Sequence, residues 1–222
     1  PYAGHRIPSK PFPPVFSPSA YRKGEGEPLA LSQALEAETL PEYPRALGTL
    51  VHYALARNLD PGDEGAMRAL LLQEVVLPFS EEEREGLLRE VRRLLWNHRR
   101  MLGKLLPALE NREEDYPELP LVLPLAGTVW YGVLDRLYRV GDRWYLEDYK
   151  TDQRMAPEGY RLQLALYWEA VRRAWGVEAE ARLVYLRHER VHPFSPEELQ
   201  EALRELEKAP GILSQGLEPD PL

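Results

Sequence analysis

The spacing of apolar residues predicts two helices in the first half of the chain. Residues 45–59 have apolar side chains at helical intervals, and Pro44 suits the first turn of a helix. A longer helix is predicted to begin after Ser80, because its hydroxyl can cap the helix while Glu83 completes a capping box. The apolar stripe of this helix continues towards Pro107, where the stretch should end.

Helical spacing returns in the second half of the chain. Residues 158–175 form one predicted helix and residues 196–208 another. Ser195 and Glu198 have the spacing of a second capping box, which places the start of the last helix. The β-branched and aromatic stretch at about 181–187 predicts a strand between these two helices.

A change of period in the middle of the chain predicts a β-hairpin. Residues 128–140 and 143–151 are rich in Val, Trp, Tyr and Leu, and they are separated by Gly141 and Asp142. Two such runs joined by Gly-Asp are typical of a tight hairpin with a type II′ turn.

The order of these elements predicts a mixed α/β fold in which a small mixed sheet is flanked by helices. Before the hairpin, residues 110–117 are predicted to be a polar loop, and the proline-broken 119–125 an edge strand at best. The proline-rich residues 1–30 are predicted to be an extended lead-in or linker. Residues 31–222 are then expected to form one domain with a short flexible C-terminal tail.

Composition excludes several classes of protein. The 222 residues are 44% apolar, without an apolar run long enough to span a membrane, so we expect no membrane association. Cysteine is absent, which excludes disulfides, thiol nucleophiles and iron–sulfur clusters and agrees with a reduced, cytoplasmic location. The net charge of −8 argues against a chain that coats nucleic acid indiscriminately. Because the sequence begins at Pro1, we expect a piece of a longer protein.

The predicted hairpin places two acidic residues opposite each other. Its register pairs Asp135 with Asp148, and alternation puts Lys150 on the same face. Carboxylates about 5 Å apart repel by roughly 3–4 kcal/mol at an effective dielectric of 20. Lys150 could compensate as a structural salt bridge on a half-exposed hairpin. A divalent cation, Mg²⁺ or Mn²⁺ rather than zinc, is the other candidate partner.

Two further polar residues lie on apolar helix faces. Gln163 is in the middle of the stripe of its helix, where an unsatisfied amide would cost roughly 1–3 kcal/mol. It either bonds to the backbone and fills space or belongs to a site. His52 lies at the edge of a stripe one turn after Gly48, which leaves room for a close approach. A lone helical histidine can equally be an ordinary core or surface residue.

Five short motifs together resemble the RecB-type branch of the PD-(D/E)XK nucleases. They follow one another in order with sensible intervals, and they span about residues 45–170. The motifs are Gly48–His52, Glu118, Gly132–Asp135, Glu147–Thr151 and Gln163–Tyr167. The resemblance implies a restriction-endonuclease-like α/β core and a metal-dependent DNA nuclease.

The resemblance also implies a role for each residue that carries it. The metal ligands would be His52, Asp135, Asp148 and the carbonyl of Tyr149, holding one or two Mg²⁺ or Mn²⁺ ions. Lys150 would position the attacking water and steady the phosphate. Gln163 and Tyr167 would support the site and contact the DNA backbone. Glu118 matches the upstream acid of the family, and we expect it near the metal as a catalytic residue, without assigning it as a ligand.

The absence of cysteine makes the chain similar to the cysteine-free kind of this family, the nuclease domains at the end of RecB or AddA helicase–nucleases. Such a domain would act on DNA ends exposed by a helicase motor of the same parent polypeptide, in double-strand-break repair and recombination. The chain contains no Walker A loop of its own. Two alternatives stay open: an inactive copy serving as a DNA-binding or scaffolding module, and a standalone or CRISPR-associated nuclease.

A basic stretch offers a possible DNA contact. Residues 84–104 carry seven basic residues against two acidic ones, with Trp96 and His98 interleaved. The candidate DNA-binding residues are Arg92, Arg93, Arg99 and Arg100. A solvated basic face and a docking surface for a helicase are equally compatible with this pattern.

Overall fold

The computed structural model describes residues 15–16, 42–74 and 79–208. The lead-in predicted for residues 1–30, apart from residues 15–16, and the tail after residue 208 lie outside the described residues.

Three helices form a layer on one face of the sheet. Helix α1 is Glu42–Ala56, α2 is Glu64–Glu74 and α3 is Glu81–Met101. The predicted cap of α3 is confirmed, because the Glu83 N–H donates to Ser80 Oγ at 3.3 Å and the Ser80 N–H donates to Glu83 Oε2 at 2.8 Å. Helix α3 ends before Pro107, since Leu102 is extended and Gly103 has a φ of 73°. The sequence did not predict α2.

Six strands form one sheet around the long strand β3. The strands are β1 (Val15–Phe16), β2 (Glu114–Leu125), β3 (Thr128–Val140), β4 (Arg143–Lys150), β5 (Glu180–Tyr185) and β6 (Arg190–Phe194). Strand β3 pairs antiparallel with β2 and β4 and parallel with β1. Beyond β4, the sheet continues with a parallel β5 and then an antiparallel β6. Helix α4 (Arg161–Trp175) connects β4 to β5, and α5 (Pro196–Lys208) follows β6.

The predicted hairpin is confirmed with its register. Val140 pairs with Arg143 and Leu137 with Leu146, and Gly141 has the positive φ, 58°, that the first loop residue of a type II′ turn needs. The capping box of α5 is also present, because the Ser195 N–H donates to Glu198 Oε2 at 2.7 Å.

The prediction for the chain before the hairpin was wrong. The expected loop at 110–117 ends at Glu114, where β2 begins, and β2 runs for 12 residues despite three prolines. Within the described sheet β2 pairs only with β3, and a strand paired on one side is where proline is tolerated. A second hairpin turn joins them at Ala126 and Gly127, whose φ angles are 52° and 73°. Strand β6 was also not predicted.

Helices cover both faces of the sheet, which confirms the mixed α/β fold class. On one face α4 and α5 pack over Trp130, Leu146 and Leu183, all of them buried. On the other face α1, α2 and α3 form a second core that includes Tyr149 and Val184. Among the described helices, none is both long and apolar enough to cross a bilayer.

Candidate active site

The site lies where β3 and β4 stop pairing. Their ladder ends at Arg136 and Glu147, one position before Asp135 and Asp148 would face each other. The carboxylate of Asp135 turns into the opening and its Oδ2 accepts the backbone N–H of Tyr149 at 2.6 Å. The two acids therefore approach as the register predicted, but the backbones do not pair there.

Strand β2 shows the same interruption on the other side of Asp135. Pro117 pairs with Arg136 and Leu119 with Leu134, while the intervening Glu118 has a φ of 47° and is exposed. Glu118 therefore lies beside Asp135 in register. Its role near a metal stays a prediction.

His52 of α1 closes the opening from the helical layer. Its Nδ1 lies 3.1 Å from Asp135 Oδ1, and its Nε2 lies 2.9 Å from the carbonyl oxygen of Tyr149. Both ring nitrogens have acceptors, an arrangement that suits the protonated ring. Burial lowers the pKa of His52, but the charge and hydrogen bond of Asp135 outweigh it and raise the pKa to about 8. The His52 side chain is 33% exposed, so solutes can reach the site.

Asp148 and Lys150 form the second half of the site. Lys150 Nζ lies 2.6 Å from Asp148 Oδ2 and 3.8 Å from the centre of the Tyr160 ring. Burial, with the nearby charge of Asp135, raises the pKa of Asp148 although Lys150 opposes the rise. Burial also acts to raise the pKa of Asp135, but His52 and the Tyr149 N–H lower it overall. Two neighbouring acids with pKa values moved in opposite directions are typical of active sites.

The donor chemistry fits a hard divalent cation. Asp148 Oδ2 is buried and, within the described chain, makes no hydrogen bond of good geometry, although Lys150 is close. Two carboxylates, an imidazole and the Tyr149 carbonyl are the oxygen and nitrogen ligands that Mg²⁺ or Mn²⁺ accepts. Among the described residues no three His, Asp or Glu side chains are already grouped as a metal site. His52 would have to leave its ion pair with Asp135 to become a ligand.

Gln163 and Tyr167 pack behind this opening. The Gln163 amide Nε2 donates to the Tyr167 hydroxyl at 3.4 Å, so the amide has the partner its position required. The Tyr167 ring is buried against Gly132, three residues before Asp135 on β3. Burial, with the charges of Asp148 and Asp135, raises the pKa of Tyr167 and keeps the hydroxyl protonated. The structure thus brings this predicted motif close to the acids.

The four candidate DNA-binding arginines of α3 already have partners in the fold. Ion pairs or a backbone carbonyl engage each of them, which favours the solvated-face alternative, while DNA contact stays a prediction. The partners are Pro61 O for Arg92 (3.0 Å), Glu90 for Arg93 (2.7 Å), Asp60 for Arg99 (3.1 Å) and Glu189 for Arg100 (2.7 Å).

Sequence reasoning missed a buried polar network beside the site. Glu147 is fully buried; its Oε1 accepts from Arg182 Nη2 at 2.7 Å and its Oε2 accepts from the Tyr149 hydroxyl at 3.0 Å. This network fixes the strand position directly before Asp148. Charged residues within two strands predicted to be largely apolar were the signal that could have revealed it.

Comparison with one solved structure agrees with this architecture. A crystal structure of a candidate exonuclease from Eubacterium rectale superposes with a TM-score of 0.60 at 17% identity, covering 92% of this chain and 84% of that one. A Vibrio cholerae protein matches with a TM-score of 0.29 at 16% identity, over 75% of this chain and 51% of that one. No curated protein sequence matches. Residues 18–218 match the profile of the PD-(D/E)XK nuclease superfamily, and the chain therefore belongs to that superfamily.

Proposed function

We propose that this chain is a Mg²⁺- or Mn²⁺-dependent deoxyribonuclease. The observation that carries the proposal is the meeting of His52, Asp135, Asp148 and Lys150 at the break in the β3–β4 ladder. An inactive copy would be expected to have lost at least one of these groups. Membership of a nuclease superfamily supports hydrolysis of phosphodiester bonds.

The protein groups have separate tasks in this proposal. Asp135, Asp148, His52 and the Tyr149 carbonyl would hold the ion, which when bound supplies a hydroxide at neutral pH and positive charge against the phosphate. Lys150 is anchored by Asp148 at 2.6 Å, so its ammonium is placed beside the ligands, where it can orient water and neutralise a phosphate oxygen. The protonated Tyr167 hydroxyl would support β3 from behind through its buried ring, and the partly exposed Gln163, which donates to it, would contact the DNA backbone.

The biological setting is a further part of the proposal. We propose a cytoplasmic nuclease module of a helicase–nuclease, acting on single-stranded or duplex ends in double-strand-break repair, with the motor elsewhere in the parent polypeptide. Its support is the resemblance of the five motifs to the cysteine-free RecB-type branch. The Eubacterium rectale protein is named as a candidate exonuclease, which agrees with action at ends.

Cleavage of linear DNA tests the proposal. The full chain is incubated with single-stranded and double-stranded DNA with Mn²⁺ or Mg²⁺, and again with EDTA. We expect cleavage with metal and none with EDTA, and a loss of at least about 100-fold in Asp148→Asn and Lys150→Met. Arg139→Lys, on the same strand as Asp135 but outside the site, is the control. Cleavage that persists in EDTA or in Asp148→Asn would overturn the proposal.

A further inference from the structure

Helix α1 carries His52, but its apolar face packs mainly on other helices. Leu47, Leu50 and Val51 of α1 are buried in the core that α1 shares with α2 and α3. The position of His52 over β3 therefore depends on the polar contacts that join α1 to that strand. Two consecutive residues of β3, Asp135 and Arg136, make such contacts.

Arg136 makes the second of these connections. Its Nη1 donates to the Leu55 carbonyl of α1 at 3.1 Å, one turn after His52. Its Nη2 donates to Asn58 Oδ1 at 2.9 Å, in the loop that follows the helix. Asp115 of β2 holds the guanidinium in a bidentate pair at 2.6 and 2.5 Å. The side chain is fully buried, so its orientation is fixed.

The backbone conformation of Asn58 suits its contact with Arg136. Its φ of 51° places it in the left-handed region that follows many helix ends, and the Leu59 N–H donates to the Ala54 carbonyl at 2.9 Å. Arg136 thus donates to a carbonyl in the last turn of α1, which also accepts the Asn58 N–H, and to the side chain of Asn58 in the loop after the helix. Cations at a helix C-terminus are favourable, which adds to the attraction.

We infer that Arg136 is a positioning residue of the candidate active site, which holds α1 so that the His52 ring stays over Asp135. The inference rests on the proposed function. If a cation took the place of His52 beside Asp135, the ion pair that now links α1 to β3 would be lost, whereas the hydrogen bond of Arg136 to the Leu55 carbonyl would not depend on the ion. It is not a catalytic residue, because its described hydrogen bonds go to Asp115, the Leu55 carbonyl and Asn58, none of which is a candidate metal ligand.

Metal affinity tests the inference without relying on cleavage. Mn²⁺ binding to the full chain is measured by titration calorimetry for the unaltered protein, Arg136→Lys and Asn58→Gly, with the unfolding temperature of each. Lysine cannot reproduce the bidentate fork, and we expect Arg136→Lys to weaken Mn²⁺ binding by about tenfold or more. Asn58→Gly keeps the left-handed backbone while it removes the Oδ1 acceptor, and we expect a smaller loss in the same direction.

Arg139→Lys is the matched control. Arg139 lies on the same strand and also pairs with an acid of β2, with its Nε 2.8 Å from Glu114 Oε1, but it makes no described contact with α1. Its substitution should leave the Mn²⁺ affinity unchanged. If Arg136→Lys does not fold, the Mn²⁺ affinity of Asn58→Gly, compared with that of Arg139→Lys, tests the inference.

A double-mutant cycle between His52 and Arg136 separates a positioning role of Arg136 from a general structural role. In a His52→Ala background, Arg136→Lys should weaken Mn²⁺ binding no further, because the ligand that Arg136 positions is gone. An equal loss in both backgrounds overturns the positioning role, as does unchanged affinity in both Arg136→Lys and Asn58→Gly. If the unaltered chain binds no Mn²⁺, the proposed function fails and this inference fails with it; if it binds Mn²⁺, only the inference is at stake.

Discussion

The ring of Tyr167 lies so close to Gly132 that no other residue fits there. A Cβ at position 132 would stand 2.7 Å from Tyr167 Cε1 and 2.8 Å from its hydroxyl oxygen. The glycine of the Gly132–Asp135 motif is therefore explained by the tyrosine of the Gln163–Tyr167 motif. Two motifs far apart in sequence are the two sides of one contact.

Gly132→Ala should consequently destabilise the protein and impair the site. Overpacking of a core contact costs about 1–3 kcal/mol, and the displaced segment of β3 leads directly to Asp135. Urea unfolding gives the stability, and DNA cleavage gives the effect on the site. In a Tyr167→Ala background the cost of Gly132→Ala should largely disappear, since the clashing ring is absent. The same cost in both backgrounds would contradict the contact as the cause.

The buried Glu147 predicts a loss of stability in acid. Burial acts to raise the pKa of Glu147, but Arg182 and the Tyr138 hydroxyl outweigh it and lower the pKa below the ordinary value of 4.5. A carboxyl whose pKa is lowered by folding stabilises the protein above its unfolded pKa, and this contribution is lost as the pH falls through the folded value. At pH 7 the contribution is therefore complete.

Glu147→Gln measures that contribution. At pH 7 it removes the buried ion partner of Arg182 and leaves only the partly exposed Glu180, 3.2 Å from Nη1, and we expect a loss of about 3–5 kcal/mol in the free energy of unfolding. The difference between the unaltered protein and Glu147→Gln should begin to shrink as the pH falls below about 4.5, because the carboxyl of the unfolded chain then takes up a proton. It should be smallest below the lowered pKa of the folded state, where the native carboxyl is protonated as well. Urea titrations at several pH values test this, and a difference independent of pH would contradict it.

The backbone conformation of Glu118 predicts that glycine is more stable than alanine at this position. Its φ of 47° is unfavourable for a residue with a side chain, by about 1 kcal/mol or more. Glu118→Gly should therefore be more stable than Glu118→Ala, whereas glycine is the less stable of the two at an ordinary strand position. Thermal unfolding of the pair gives the order. Both should retain Mn²⁺ affinity if Glu118 is not a direct ligand.

Local chemistry predicted most of the fold. Gly141 and Asp142 defined the hairpin and its register, and the capping boxes at Ser80 and Ser195 placed two helix starts. Strand β2 was underestimated because proline argues against a strand, while pairing with β3 alone tolerates it. The Ala126–Gly127 turn was overlooked for the same reason, since the run before it was not taken as a full strand.

The candidate site could be located from sequence but not built from it. Hairpin register put Asp135 near Asp148 and Lys150, since alternation is a local property. At the break in the ladder, the Asp135 carboxylate accepts the backbone N–H of Tyr149. The periodicity of the sequence does not predict such a side-chain contact. The reach of Arg136 to Leu55 depends on how α1 packs in three dimensions, and nothing near Arg136 in sequence indicates it.

The arginines of α3 provide the last prediction, about DNA binding. Arg93 and Arg100 are 52% and 53% exposed, yet each lies 2.7 Å from a glutamate, Glu90 and Glu189 respectively. A guanidinium already neutralised by a carboxylate releases few phosphate counterions unless that pair breaks. We therefore expect Arg93→Gln with Arg100→Gln to leave DNA binding nearly unchanged.

The dependence of DNA affinity on salt measures this directly. Each arginine that contacts a duplex phosphate contributes about 0.9 to the slope of log affinity against log salt, so removing two such contacts would reduce the slope by nearly 2. Fluorescence anisotropy with a short labelled duplex, in the presence of Ca²⁺ to suppress cleavage, gives the slope for both proteins. A reduction of that size would mean that the ion pairs open on DNA and that α3 follows the backbone. An unchanged slope would place the DNA contacts elsewhere on the chain, since the arginines would then serve the fold.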